Sequence, residues 1–277
     1  MIYLAVVVTA ALLTFFIKKA AIKKAIWDIP NQRSSHTTPV PRGGGLAIVI
    51  AFYAGLLFLP DVEKHLLYAL LCALPIALTG FLDDLLDLSS RTRLAVQFVS
   101  AAAALYFLQL PFVPALFGLF LIVWFTNLFN FLDGIDGYVT TEAIFIGIAG
   151  YLFTGDGVLL LLSAAAAGFL PFNWQKASIF MGDVGSTFIG FVVAVLLLYH
   201  TRTFHEGLIW LLLTAPFWFD ATYTLLRRLI NGEKITQAHR KHLFQRAVIG
   251  GLSHRSVTLI LLGIDLLIAS LLLLFPE

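Results

Sequence analysis

The sequence predicts an all-α, polytopic integral membrane protein of about ten transmembrane helices. Three observations carry this prediction. Hydrophobic residues make up 60% of the 277 and charged residues only 12%, at a mean hydropathy of +0.92. A water-soluble domain carries about twice that charged fraction. The apolar residues gather into runs of helix length, and the basic residues are concentrated in alternate segments between them. In a bilayer each backbone polar group must be satisfied internally, so such runs become helices.

The runs are 2–17, 44–60, 66–82, 94–110, 112–129, 139–153, 158–172, 186–200, 207–226 and 256–274. Several are shorter than the roughly 20 residues that span a bilayer. No basic residue precedes the first run, and Lys18, Lys19, Lys23 and Lys24 follow it. A cleaved secretion signal has the opposite order. The run therefore reads as a retained first helix with its amino terminus outside. Gly155-Asp156-Gly157 separates the sixth and seventh runs, which could also form one kinked element.

Charge decides between these. Sixteen of the 18 lysines and arginines fall in or beside odd-numbered loops, and only Lys64 and Arg202 in even-numbered ones. Positive residues favour the cytoplasmic side, so ten spans place both termini away from the cytoplasm. Merging the sixth and seventh runs would degrade the bias. The chain then reads as one transmembrane catalytic domain, 1–277, with cytoplasmic loops near 18–43, 83–93, 130–138, 173–185 and 227–255. The single cysteine, Cys72, excludes an intrachain disulfide. The scattered basic residues form no stripe for nucleic acid.

Acids are costly in a membrane, yet they recur at the cytoplasmic ends of these runs. Asp83, Asp84 and Asp87 close the third. Asp83 and Asp87 share a face if the helix continues. Carboxylates at a helix carboxyl end oppose its dipole, which disfavours a merely solvated end. The most specific stretch is Asn127-Leu-Phe-Asn130-Phe-Leu-Asp133-Gly134-Ile-Asp136-Gly137. Its amide and carboxylate oxygens at spacings of three suit a hard cation such as Mg²⁺ (or Mn²⁺). Asp183, in Met181-Gly182-Asp183-Val184-Gly185-Ser186, is a metal ligand in that company, although alone it could simply cap a helix.

Basic and polar groups accompany the acids. Arg93 and Gln97 could hold a phosphate, whereas Arg91 alone is better read as a membrane anchor. The first loop carries Arg33, His36 and Arg42 before Gly43-Gly44-Gly45, either a phosphate-binding helix start or a tightly packed entry. The ninth carries His239, Arg240, His242 and Arg246. If this stretch is helical, His239, His242 and Arg246 share a face suited to a diphosphate; the plain alternative is a basic helix on anionic lipid. Asp220, inside the ninth run, is a candidate for the site or its support.

In this order, these residues resemble the polyprenyl-phosphate N-acetylhexosamine-1-phosphate transferases, glycosyltransferase family 4. The similarity runs over nearly the whole chain and is most specific in the Asp-Asp pair, the Asn-x-x-Asn-Phe-x-Asp-Gly-x-Asp-Gly run and Met-Gly-Asp-x-Gly-Ser. It implies ten helices with periplasmic termini, a bacterial inner-membrane location, a cytoplasmic active site and a homodimer. The implied reaction moves a sugar-1-phosphate from a UDP-sugar to undecaprenyl phosphate, releasing UMP. By motif, Asn130 and Asp183 would bind Mg²⁺, and Asp83 and Asp84 would sit at the lipid phosphate held by Arg93. Asp133 and Asp136 would support the nucleotide, with His239, Arg240, His242 and Arg246 at the diphosphate and sugar. Asn127, His36 and Arg42 join the substrate-binding set. The ninth-loop pattern is similar to the O-antigen branch, which implies N-acetylated 6-deoxyhexosamines such as FucNAc or QuiNAc beside GlcNAc.

Two rivals use some of the same residues. A cation-coupled transporter would need acids at mid-membrane on broken helices, and most here lie at helix ends. A CDP-alcohol phosphotransferase would need Ala-Arg after Asp-Gly, where this chain has Ile135-Asp136.

Overall fold

The computed structural model describes residues 1–30, 35–233 and 240–274. Each apolar run is helical. The helices are α1 (Ile2–Lys23), α2 (Gly45–Leu56), α3 (Lys64–Leu71), α4 (Ala73–Leu86), α5 (Ser90–Leu108), α6 (Phe112–Leu132) and α7 (Tyr138–Thr154). They continue with α8 (Gly157–Asn173), α9 (Asp183–His200), α10 (Phe204–Leu213), α11 (Ala215–Ile230), α12 (Leu243–Ile249) and α13 (His254–Leu274). Among the described residues the one departure from all-α is a two-residue ladder. There β1 (Trp27–Asp28) pairs antiparallel with β2 (Val40–Pro41) and folds the first loop back on itself.

By length and composition five segments qualify as membrane spans: α1, α3 with α4, α6, α9 and α13. A sixth is added if α10 and α11, bent by 78°, form one span. The apolar helices α2, α7 and α8 have 12, 17 and 17 residues. At 1.5 Å per residue they fall short of a hydrocarbon core about 30 Å thick.

Local chemistry sets the breaks. Gly155, at φ 72°, ends α7, and Asp156 accepts from the Val158 amide at 2.9 Å to start α8, so these are two helices. Pro216, in the first turn of α11, cannot continue α10, because its ring would meet the carbonyl four residues back. The Trp218 indole N–H donates to the Leu211 carbonyl there, at 2.8 Å. The third run ends sooner than its carboxylate spacing suggests. Asp87 takes a left-handed conformation at φ 50°, so it does not extend the Asp83 face. Its side chain is 95% exposed and turns towards Arg42.

Helix α9 is the axis. It packs against α2, α4 and α6, and its residues from Val184 to Leu198 are all buried. Helices in lipid associate through close packing rather than hydrophobic transfer, and small residues let backbones approach. A Cβ on Gly80 of α4 would lie 2.6 Å from the Asp183 carbonyl oxygen, and one on Gly45 would meet the Gly185 backbone. The glycines opening α2 therefore serve a tight backbone contact, with the Gly44 and Gly45 amides donating to the Phe180 and Met181 carbonyls at 2.9 and 2.8 Å. Around this core, α1 packs on α2 and α8, α7 on α8, and α13 on α7. Glu142 of α7 and Asp265 of α13, 2% and 1% exposed, meet between the last two.

Candidate active site

The site forms where the carboxyl ends of α4 and α6 meet the amino end of α9. Asp84 of α4 accepts from the Asp183 and Val184 amides, at 3.1 and 3.3 Å. It thus supplies the cap that α9 lacks from its own sequence, since Gly182, at φ 76°, precedes the helix. Asp183 is thereby not the capping residue, and its carboxylate meets Arg93 instead. One guanidinium nitrogen of Arg93 lies 2.7 Å from Asp83 Oδ2 and 2.9 Å from Asp183 Oδ2. Asp83 is further fixed by the Leu88 amide, which donates to its Oδ1 at 2.7 Å.

Helix α6 adds the amides and the following turn. Asn130 donates to Ser186 Oγ of α9 at 3.2 Å, beside Asp183. Asn127, one turn earlier, pairs with Gln97 of α5, donating at 2.6 Å to its carbonyl oxygen. Asp133 follows the end of α6. Burial, and then the neighbouring carboxylates led by Asp183 and Asp84, raise its pKa to about 8. Asp136 accepts from the Ala177 amide at 3.3 Å, and its own amide donates to His254 Nδ1 at 3.2 Å.

These groups line a cavity of about 400 Å³ that includes His36, Arg42, Asp84, Asn130, Asp133, Asp136 and Asp183 of the expected residues. Asp83 and Arg93 join it through Asp183. Buried His36 Nε2 and Arg42 Nε have no hydrogen-bond partner among the described residues. Five carboxyl groups line the cavity, the fifth from Asp28, against one arginine. Even with Asp133 protonated near neutrality the acids outnumber the arginine, so an anionic ligand there calls for an added cation. The donors fit Mg²⁺, which binds through one or two carboxylates and substrate phosphates and keeps several waters. Among the described residues no group of three histidine, cysteine or carboxylate side chains is placed to hold a metal by itself.

The ninth loop departs from the helical reading. Helix α12 begins only at Leu243, with His242 as its cap residue, and the described residues just before it, 240–242, are not helical. His239 and Arg33 lie outside the described residues. Asp220 organises the loop, accepting from the Leu243 and Phe244 amides at 2.8 and 3.1 Å, with His242 Nδ1 at 3.3 Å. Arg240 and Arg246 line a separate basic cavity. His254, Asp28, Asn173 and Gln245 line the acid cavity, and sequence reasoning missed all four. A polar residue at the edge of an apolar run, as with His254 and Asn173, was the available signal. A larger cavity, of about 580 Å³, is lined by Asp156 and His200 and holds none of the expected residues.

The fold and site define a helical membrane protein whose acid-lined, arginine-bridged cavity sits where helix ends converge. The model of glycosyl transferase family 4 matches residues 66–201. A Bacillus subtilis protein named probable undecaprenyl-phosphate N-acetylglucosaminyl 1-phosphate transferase is 32% identical, over 91% of this chain and 78% of its own length. The Thermotoga maritima undecaprenyl-phosphate alpha-N-acetylglucosaminyl 1-phosphate transferase is 30% identical, over 86% and 80%. A Wolbachia phospho-N-acetylmuramoyl-pentapeptide-transferase is 32% identical over 54% of this chain and 57% of its own. The chain belongs to glycosyl transferase family 4.

Proposed function

We propose that the chain transfers an N-acetylhexosamine-1-phosphate from a UDP-sugar to undecaprenyl phosphate, releasing UMP and initiating a cell-envelope polysaccharide such as O-antigen. The observation that carries this reading is the Asp83–Arg93–Asp183 bridge beside Asn130. It joins carboxylates, an amide and a guanidinium at the wall of a cavity where, among the described residues, His36 Nε2 and Arg42 Nε have no hydrogen-bond partner. The relatives' names support N-acetylglucosamine as the first donor to test, and the ninth-loop pattern adds FucNAc and QuiNAc. The same reading puts the cavity on the cytoplasmic face of a bacterial inner membrane, in a homodimer.

Asn130 and Asp183 would hold Mg²⁺, which when bound supplies charge neutralisation for the phosphoryl and leaving oxygens. The protein's own groups do the rest. A phosphate monoester has its second pKa near 6 and is mostly dianionic at neutral pH, so the acceptor needs little deprotonation. Its oxygen attacks the β-phosphorus of the donor, the bond to the α-phosphate oxygen breaks, and UMP departs. Arg93 stabilises the phosphoryl charge once substrate draws it from the two aspartates. Asp83, fixed by the Leu88 amide, orients the acceptor and assists as a base; a covalent aspartyl intermediate is not required. His36 and Arg42 hold the donor from the first loop, while Asp133 and Asp136 shape its nucleotide side.

The test is UMP release by purified protein with undecaprenyl phosphate, a panel of UDP-N-acetylhexosamines, and Mg²⁺, Mn²⁺ or EDTA. UMP that needs lipid, donor and divalent cation supports the reading. Folded protein that releases none from any donor sinks it.

A further inference from the structure

Two acids lie inside apolar helices, away from the site. Glu142 is the one charged residue of the run 139–153, and Asp265 the one of the run 256–274. An acid inside such a run is costly and calls for a reason. Glu142 of α7 and Asp265 of α13 are both buried, and their side chains are in hydrogen-bond contact with each other. Among the described residues no N–H or O–H donates to Glu142 Oε1 or to either Asp265 oxygen. The hydroxyls of Tyr138 and Thr141, on the same stretch of α7, have no partner there either. No basic group among the described residues offsets either acid.

A carboxylate only accepts hydrogen bonds. Two in contact repel, and an uncompensated buried charge is strongly unfavourable. A hydrogen between the oxygens removes one charge and supplies a strong bond. The contact also belongs to a seam. Helix α13 exposes much of its surface, including Leu259, Ile260, Leu266 and Leu267. Its polar contacts towards α7 come from His254, Thr258 and Asp265, four and seven residues apart and so on one face. His254 Nδ1 accepts from the Asp136 amide at 3.2 Å, and the Thr258 hydroxyl donates to the Asp136 carbonyl at 3.5 Å. Asp265 meets Glu142 about 10 Å further along the helix. Helices in lipid gain little from apolar transfer, so such contacts set register.

We propose that Glu142 and Asp265 share a proton and act as a positioning pair, which fixes the register of α13 on α7 and so holds His254 against Asp136. Neither acid lines the cavity that Asp136 and His254 line; both act through His254. The kinetic consequence rests on the transfer reaction proposed above, and the shared proton does not.

Infrared difference spectroscopy, amide exchange and donor kinetics on the full chain in nanodiscs test the two parts. At neutral pH, Glu142→Gln/Asp265→Asn is expected to lose the carbonyl band of a protonated carboxyl group. An amide N–H still donates across the seam in this variant, so the donor's KM should stay near that of the unaltered protein. Glu142→Leu/Asp265→Leu removes the contact without stranding a charge. It is expected to speed exchange of the Asp136 amide and to raise the donor's KM about tenfold, the scale of one lost hydrogen bond. In a His254→Ala background it should add nothing further. Should the leucine pair fail to fold, the alanine pair is read in the same way. An unchanged infrared spectrum, or a band that appears only when sodium is withheld, overturns the shared proton. Unchanged exchange at Asp136, or full additivity with His254→Ala, overturns the positioning role. The band and the exchange are read without turnover, so they decide the proposal even where the transfer reading fails.

Discussion

Asp84 caps the helix that carries Asp183: its two oxygens accept from the Asp183 and Val184 amides at 3.1 and 3.3 Å. Adjacent in role, the two aspartates should separate in experiment. Asp84→Ala removes the cap and is expected to lower stability by about 1–2 kcal/mol, read as a lower unfolding temperature in detergent. Asp183→Asn leaves that cap intact and is expected to cut kcat on the order of a hundredfold, with little change in unfolding temperature. Near-normal turnover in Asp183→Asn would remove it from the metal assignment.

Arg93 bridges two carboxylates through one nitrogen. Lysine has a single, strongly hydrated charge without the planar fork, so Arg93→Lys should fold while losing most activity. Arg93→Ala leaves Asp83 and Asp183 uncompensated, and Mg²⁺ should then raise its unfolding temperature more than it raises that of the unaltered protein. An equal Mg²⁺ response in both would place the ion elsewhere.

Asp220→Ala strands the Leu243 and Phe244 amides and removes one partner of the His242 ring. Each buried donor left unsatisfied costs about 1–3 kcal/mol. Proteolysis within residues 231–250 should accelerate, while cleavage elsewhere stays as before. An unchanged cleavage pattern would mean that α12 is held by its packing alone.

His254 meets Asp136 from 118 residues away. Substituting alanine removes an acceptor for the Asp136 amide and a neighbour of its carboxylate, 3.3 Å distant. The expected effect is a fall in kcat/KM of roughly tenfold, carried mainly by the donor's KM, because losing a hydrogen bond costs about 1 kcal/mol or more. A drop confined to kcat would assign His254 to the chemical step instead.

Much of this was legible from residue order. The helices follow the apolar runs, because backbone in lipid has few alternatives. Asn130, Asp133, Asp136 and Asp183 were legible because acids and amides at the edge of an apolar run need a reason to be there. What was hidden depends on long-range pairing. Nothing near Asp84 reveals that it caps a helix 99 residues later, and His254 looks like an ordinary helix start. Asn127 shares the spacing of Asn130, yet its neighbour across the gap is Gln97, which only packing decides. The ninth loop differs from its helical spacing because Asp220 gathers His242, Leu243 and Phe244 into the start of α12, a contact from 22 to 24 residues away.

The backbone contacts of Gly45 with Gly185 and Gly80 with Asp183 divide the molecule by tolerance to change. Where α2, α4 and α9 touch there is no side-chain slack, so even one methyl group displaces the aspartates. The first and ninth loops approach the same cavity through side chains, which can be exchanged one at a time. A change of sugar donor is therefore reachable by redesigning those loops, while the phosphate-handling groups stay as they are.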